Sequence, residues 1–171
     1  MKNFNSYCTL IAAALALIGC ASRLPATDVP ATAIASTQTT VTSAQTAMAF
    51  ETICLKTAPS FGGAVDAAKS LGITEFSELD SARFGRTKDN SLGVQIELGI
   101  ECAIITPSQA DRTLSLKFGA AIARFAHGHA PGRFPVAIVV DGQPFIFQHD
   151  RQSGEALVML KPDSTRSADR K

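Results

Sequence analysis

Five short runs in the second half of this chain read as extended strands, two of them with apolar residues at a period of two, and this constrains the fold more than any other feature. Such a period puts every second side chain on one face of an extended strand. Leu92, Val94 and Ile96 form one run, and Ile100, Cys102 and Ile104 the next. A three-residue loop, Glu97-Leu98-Gly99, pairs Ile96 with Ile100, Val94 with Cys102 and Leu92 with Ile104. It also puts glycine third, where such a loop wants a positive φ. Further on, a strand Phe134–Val140 turns at Asp141-Gly142 into Gln143–His149. A five-residue loop, Asp150–Gly154, then leads to Glu155–Lys161. In that register Val136, Ile138, Phe145, Phe147, Leu157 and Met159 share a face.

The segments around these runs read as helical. Phe50, Ile53 and Cys54 fall on one side of a short helix broken by Thr57-Ala58-Pro59. Ser60 caps a second helix with Phe61, Ala64, Val65, Ala68 and Leu71 along one stripe. Gly72 stands where a left-handed C-terminal cap is expected. Residues 74–80 (TEFSELD) read as a further turn of helix, and Arg83–Ser91 as a polar connection. Thr106-Pro107-Ser108-Gln109 fits a capping box with proline at the first helical position. The long helix behind it aligns Ala110, Leu114, Phe118, Ala121, Ile122 and Phe125, and stops near His127-Gly128. The expected class is α+β: N-terminal helices, a β-hairpin, a long helix and a three-stranded antiparallel meander, five strands in all.

The N-terminus gives an address. Met1-Lys2-Asn3 is a short positive start, and Thr9–Ile18 (TLIAAALALI) a ten-residue apolar run. A bilayer core needs roughly 20 residues to span it, whereas ten suit the apolar region of a secretory signal. Leu17-Ile18-Gly19-Cys20 resembles the lipobox of bacterial lipoproteins. That resemblance implies a signal peptide over residues 1–19, cleavage before Cys20, a diacylglyceryl thioether on its sulfur and an acylated (palmitate-type) amino group. Two or more acyl chains give firm attachment where one gives little. Ala21-Ser22 after the cysteine, without Asp, implies the periplasmic face of the outer membrane of a Gram-negative bacterium. Ordinary cleavage after Ala21 is the alternative, and it leaves Cys20 unexplained.

Residues 20–45 are nearly all Ala, Thr, Ser, Pro and small aliphatics after the acylated cysteine. They cannot offset their ordering entropy and read as a tether, with a typical reach of roughly 25–30 Å. Residues 163–171 read as a disordered polar tail. The small α+β domain between them, 46–162, carries eleven basic and twelve acidic residues. That balance excludes a nucleic-acid footprint and a polybasic lipid patch.

Cys54 and Cys102 both fall on inward faces, one on a helix and one on a strand. In an oxidising compartment a disulfide is the economical reading, and two buried free thiols the other. No C-x-x-C supports a redox pair. The stretch FETICLKTAPSF around Cys54, followed by a small-residue helix, resembles small uncharacterised exported proteins of alphaproteobacteria. The resemblance spans about two-thirds of the domain and implies no activity.

No local motif carries chemistry. G-x-S-x-G, S-x-x-K and H-E-x-x-H are absent, and Phe61-Gly62-Gly63 lacks phosphate-loop spacing. His127-Gly128-His129 has no acidic or thiol companion at ligand spacing, so no metal and no cofactor are expected. His149 faces Glu155 or Phe134 at the sheet rim, a structural placement. Glu97 and Glu101 flank a turn as solvated carboxylates. On the meander's other face Ala137, Val139, Pro144, Ile146, Val158 and Leu160 are apolar as well. Either helices or the first hairpin cover that face, or Val139, Ile146, Val158 and Leu160 receive a partner subunit, an envelope protein or an apolar ligand. The expectation is a lipid-anchored envelope protein acting as a binding or accessory module without catalysis of its own. A periplasmic enzyme with dispersed active-site residues is the alternative.

Overall fold

The computed structural model describes residues 41–128 and 131–162. The leader, Cys20, most of the tether, His129 and the 163–171 tail lie outside the described residues. The chain is α+β, as its periodicities imply. However, it builds one antiparallel sheet of seven strands rather than five. These are β1 (Glu75–Leu79), β2 (Ala82–Arg86), β3 (Gly93–Glu97), β4 (Glu101–Thr106), β5 (Val136–Val140), β6 (Gln143–Asp150) and β7 (Glu155–Leu160), in the spatial order β1-β2-β3-β4-β7-β6-β5. Three helices, α1 (Ser43–Ile53), α2 (Ala64–Ser70) and α3 (Leu114–Phe125), pack on one face.

The two extra strands correct the helical reading of 74–80 and the connecting role given to 83–91. β1 and β2 form a hairpin around Asp80-Ser81, with Asp80 at φ 54°. Its side chains are mostly exposed, so no apolar alternation marks it. Cross-strand pairs hold it instead: Arg86 Nε donates to Glu75 at 2.9 Å and Arg83 Nε to Glu78 at 2.8 Å. Gly85 in β2 is buried because the Phe76 ring and Ile73 cover it. A Cβ there would stand 2.5 Å from the ring and 2.7 Å from the isoleucine.

The β3–β4 hairpin does have a three-residue loop, but it is Leu98-Gly99-Ile100. Glu97 faces Glu101, Ile96 faces Cys102 and Val94 faces Ile104. The expected register is therefore off by two residues. Gly99 takes its positive φ (70°) in the middle of the loop, and the Ile100 N–H closes it on the Glu97 carbonyl at 3.0 Å. Ile100 is 49% exposed, so it was never a core position. The meander matches its expected face: Val136 pairs with Phe147, Ile138 with Phe145, and Phe147 with Met159. Its first strand starts at Val136 rather than Phe134, and Asp150 belongs to β6, opposite Ala156.

Three expectations about helices also change. α1 starts at Ser43, ahead of the compositional boundary at 46, because Thr42 and Gln45 form a reciprocal capping box. α2 starts at Ala64, and Gly63, not Ser60, is its N-cap. Gly72 ends it as expected, at φ 83°, with Gly72 N–H donating to Lys69 and Ile73 N–H to Ala68 in a Schellman pattern. α3 starts seven residues after Pro107, since Thr106 completes β4 and its partners hold 107–113 as a loop.

The core lies between the helical layer and β3, β4, β6 and β7. It contains Phe50, Ile53, Phe61, Phe118, Ile122 and the inward residues of the strands. Phe50 meets Phe118 edge-on at 4.7 Å. Cys54, at the end of α1, is bonded to Cys102 in β4, with Cα atoms 5.5 Å apart. The disulfide expected from the inward cysteines is present. Its sequence separation of 48 residues corresponds to about 4 kcal/mol of loop-closure entropy removed from the unfolded chain.

Candidate functional site

Along α3 two stripes face different ways. Leu114, Phe118, Ala121 and Ile122 are buried in the core. Leu116, Gly119, Ala120 and Ala123 form a second stripe at helical spacing. With the segment Pro131–Phe134 they line a cleft of about 530 Å³, within the size range of small-ligand sites. Leu116 is 75% exposed, an unusual position for a leucine. Gly119 lets the opposite wall come close, since a Cβ there would stand 3.4 Å from the Pro131 ring.

Ser115, His149 and Arg151 complete the lining of this cleft. They belong to a network joining five parts of the chain. Ser115 is the second residue of α3, His149 lies near the end of β6, and Glu155 opens β7. Ser115 Oγ lies 2.9 Å from His149 Nδ1, and His149 Nε2 lies 2.7 Å from Glu155 Oε2. Glu155 Oε1 accepts from Arg151 at 3.0 Å and from the Gln109 N–H at 3.1 Å.

Glu155 Oε2 and Ser115 Oγ thus sit at the two ring nitrogens of His149. In the tautomer that carries its hydrogen on Nε2, the imidazole donates to Glu155 and its Nδ1 accepts from the Ser115 hydroxyl. Two phenyl rings that pack on each other at 4.7 Å meet the imidazole together from one side, Phe118 at 5.9 Å and Phe134 at 6.2 Å, both edge-on. Side-chain exposure is 3% for His149 and 1% for Glu155. Burial at this level is stable only with every polar atom paired. No buried side-chain nitrogen or oxygen among the described residues lacks a partner.

The loop before α3 is fastened to the same end of the sheet. Gln109 Nε2 donates to the Val41 carbonyl at 2.8 Å, and Asp111 accepts from the Thr113 N–H at 2.8 Å and from Lys117 Nζ at 3.1 Å. Ser43 donates to Asp111 as well, joining the start of α1 to the start of α3. These donors, Ser43 first, hold the Asp111 carboxyl below its usual range.

The sequence-based placement of His149 holds for both proposed neighbours. Ser115 and Glu155 were not singled out for chemistry. His127 sits apart from this cluster: at φ 52° it ends α3, exposed, with Nε2 3.5 Å from Asp141 Oδ1. Glu97 and Glu101 are directly opposed, but Glu101 is half-buried rather than solvated, and Gln95 Nε2 donates to it at 2.8 Å. Val139, Ile146, Val158 and Leu160 lie on the sheet face away from the three helices. Val139 is 66% exposed and the other three are partly covered. Among the described residues no group of three or more His, Cys, Asp or Glu could hold a metal, and no helix is long and apolar enough to cross a membrane. Comparison of the chain with known protein families, with curated proteins and with solved structures finds no match.

Proposed function

We propose that this chain is a lipid-anchored envelope protein whose folded domain binds an amphiphile with an unbranched acyl chain in the cleft along α3. The lipobox-like Leu17–Cys20 supports the anchor. The stripe Leu116–Ala123 facing Pro131–Phe134 carries the binding reading. From Ser115 to Ala123 the groove follows about 12 Å of helix, an elongated apolar shape. Arg133 on its lining suits an anionic head group.

Full-length protein purified in detergent from envelopes tests both halves. The peptide starting at Cys20 should carry the mass of its acyl chains. A diazirine-bearing decanoate, after irradiation, should label Leu116–Ala123 or Pro131–Phe134, and Ala120→Arg should cut that label about tenfold. A bare N-terminus rejects the anchor. Label scattered over the surface and indifferent to Ala120→Arg rejects the cleft.

A second reading concerns the sheet's outer face, which no described helix covers. Its apolar patch of Val139, Ile146, Val158 and Leu160 runs to the edge strand β5, where a second copy of the chain could add on.

A further inference from the structure

We propose that the cleft also carries a reaction: Ser115 is the nucleophile and His149 the proton acceptor of a carboxylic-ester hydrolase. This rests on the cleft as a binding site for acyl chains and adds the chemistry done at its Ser115 end. Three observations converge. Ser115 lines the cleft, and its hydroxyl oxygen stands 2.9 Å from His149 Nδ1, the accepting nitrogen in the Nε2–H tautomer. The opposite imidazole nitrogen is fixed at 2.7 Å by a carboxylate that is itself held by an arginine and a backbone N–H. Nucleophile, base and orienting acid thus stand in the order that acyl-transfer chemistry uses. Ser115 is also in the first turn of α3, where the N–H groups of Leu114, Ser115 and Leu116 have no helical acceptor. A developing oxyanion is stabilised by such donors.

The step balances without a cofactor. Ser115 Oγ bonds to the ester carbonyl carbon as its proton passes to His149 Nδ1, and the carbonyl π pair moves onto oxygen. When that pair returns, the C–O bond to the alcohol breaks and the alcohol leaves with the proton from His149. Water then adds to the acyl-serine, giving its proton to His149. Collapse breaks the C–Oγ bond, and the proton returns to Ser115. The products are a carboxylic acid and an alcohol. The apolar groove selects an ester whose acyl part is a straight chain, and the charged product faces Arg133.

A fluorophosphonate probe and para-nitrophenyl decanoate, applied to the full-length chain in detergent, test this. One phosphonyl adduct should form and map to Ser115. Ser115→Ala should abolish it and lower ester turnover by on the order of a thousandfold. Ser108→Ala, an exposed serine in the neighbouring loop, should leave both unchanged. Because Ser115 is only half-buried, its alanine variant should keep the wild-type circular dichroism and melting profile. His149→Gln should lose the adduct while Ser115 remains. A wild-type chain that takes no adduct and turns over no faster than Ser115→Ala overturns the proposal. If the diazirine decanoate still labels the groove in that case, the binding reading stands alone. If it does not, both fall together.

Discussion

Single residues on this sheet show what burial does to a charge. Glu101 faces Glu97 across the β3–β4 hairpin. Burial first and the Glu97 charge second hold its carboxyl above the ordinary value. A carboxyl raised in the folded state binds more protons than in the unfolded chain. Its favourable contribution is therefore present when protonated and lost as pH climbs through the raised value. Glu101→Gln removes that charge and keeps an oxygen for Gln95. It should melt about 1–3 °C above wild type near pH 7, with the gap closing toward about pH 4. A thermal melt series checks this, and a variant melting lower at neutral pH refutes it. The same scale explains how much of the candidate site was legible. His149 shares inward parity with Phe145 and Phe147, and Glu155 with Leu157 and Met159. A charged group on an inward position demands a partner, so their pairing could be read. Ser115 could not: 34 residues separate it from His149, and only the packing of α3 on β6 joins them.

Elements were legible where one face is buried and obscure where none is. The meander is apolar nearly throughout and α3 carries a core stripe, because each packs against the other layer, as the Phe125 ring does on Phe145 at 5.8 Å. β1 and β2 extend past the helical layer, so their pairing is written in Glu75–Arg86 and Glu78–Arg83, a weaker signal than apolar alternation. The hairpin register was missed by two residues since both registers keep Val94, Ile96, Cys102 and Ile104 inward. Only the exposed Ile100, and the closing contact of its N–H on Glu97, separate the two. Gly85 is the one residue in β2 that the packing dictates. Gly85→Ala should push the Phe76 ring and the Ile73 methyl apart and cost about 1–3 kcal/mol. Urea unfolding monitored by circular dichroism measures it, and a wild-type midpoint would mean that β1 swings away freely.

At the scale of the molecule the seven-stranded sheet has two edges of opposite character. β1 carries Glu75 and Glu78, charges that discourage strand addition. β5 reads Val-Ala-Ile-Val-Val and has no neighbour on its other side among the described residues. The two-residue turn Asp141-Gly142 makes Val140 and Gln143 a hydrogen-bonded pair. Val136 and Ile138 therefore also bond toward β6, and the N–H and C=O groups of Ala137 and Val139 point outward. Antiparallel addition of a second copy with Ala137 opposite the partner's Val139 uses all of these groups in four bonds. It leaves Pro135, which has no N–H, outside them. Asp141 then stands opposite the partner's Pro135, two positions from the partner's Arg133, a diagonal within reach of an arginine. The apolar outer faces become continuous through Val139, Ile146 and Leu160. Sedimentation of the full-length chain in detergent should show a dimer, and Val139→Lys, which places a charge on the joining edge, should return it to monomer with its melting temperature unchanged. A wild-type monomer at micromolar concentration, or a dimer that Val139→Lys leaves intact, removes the second copy from this face.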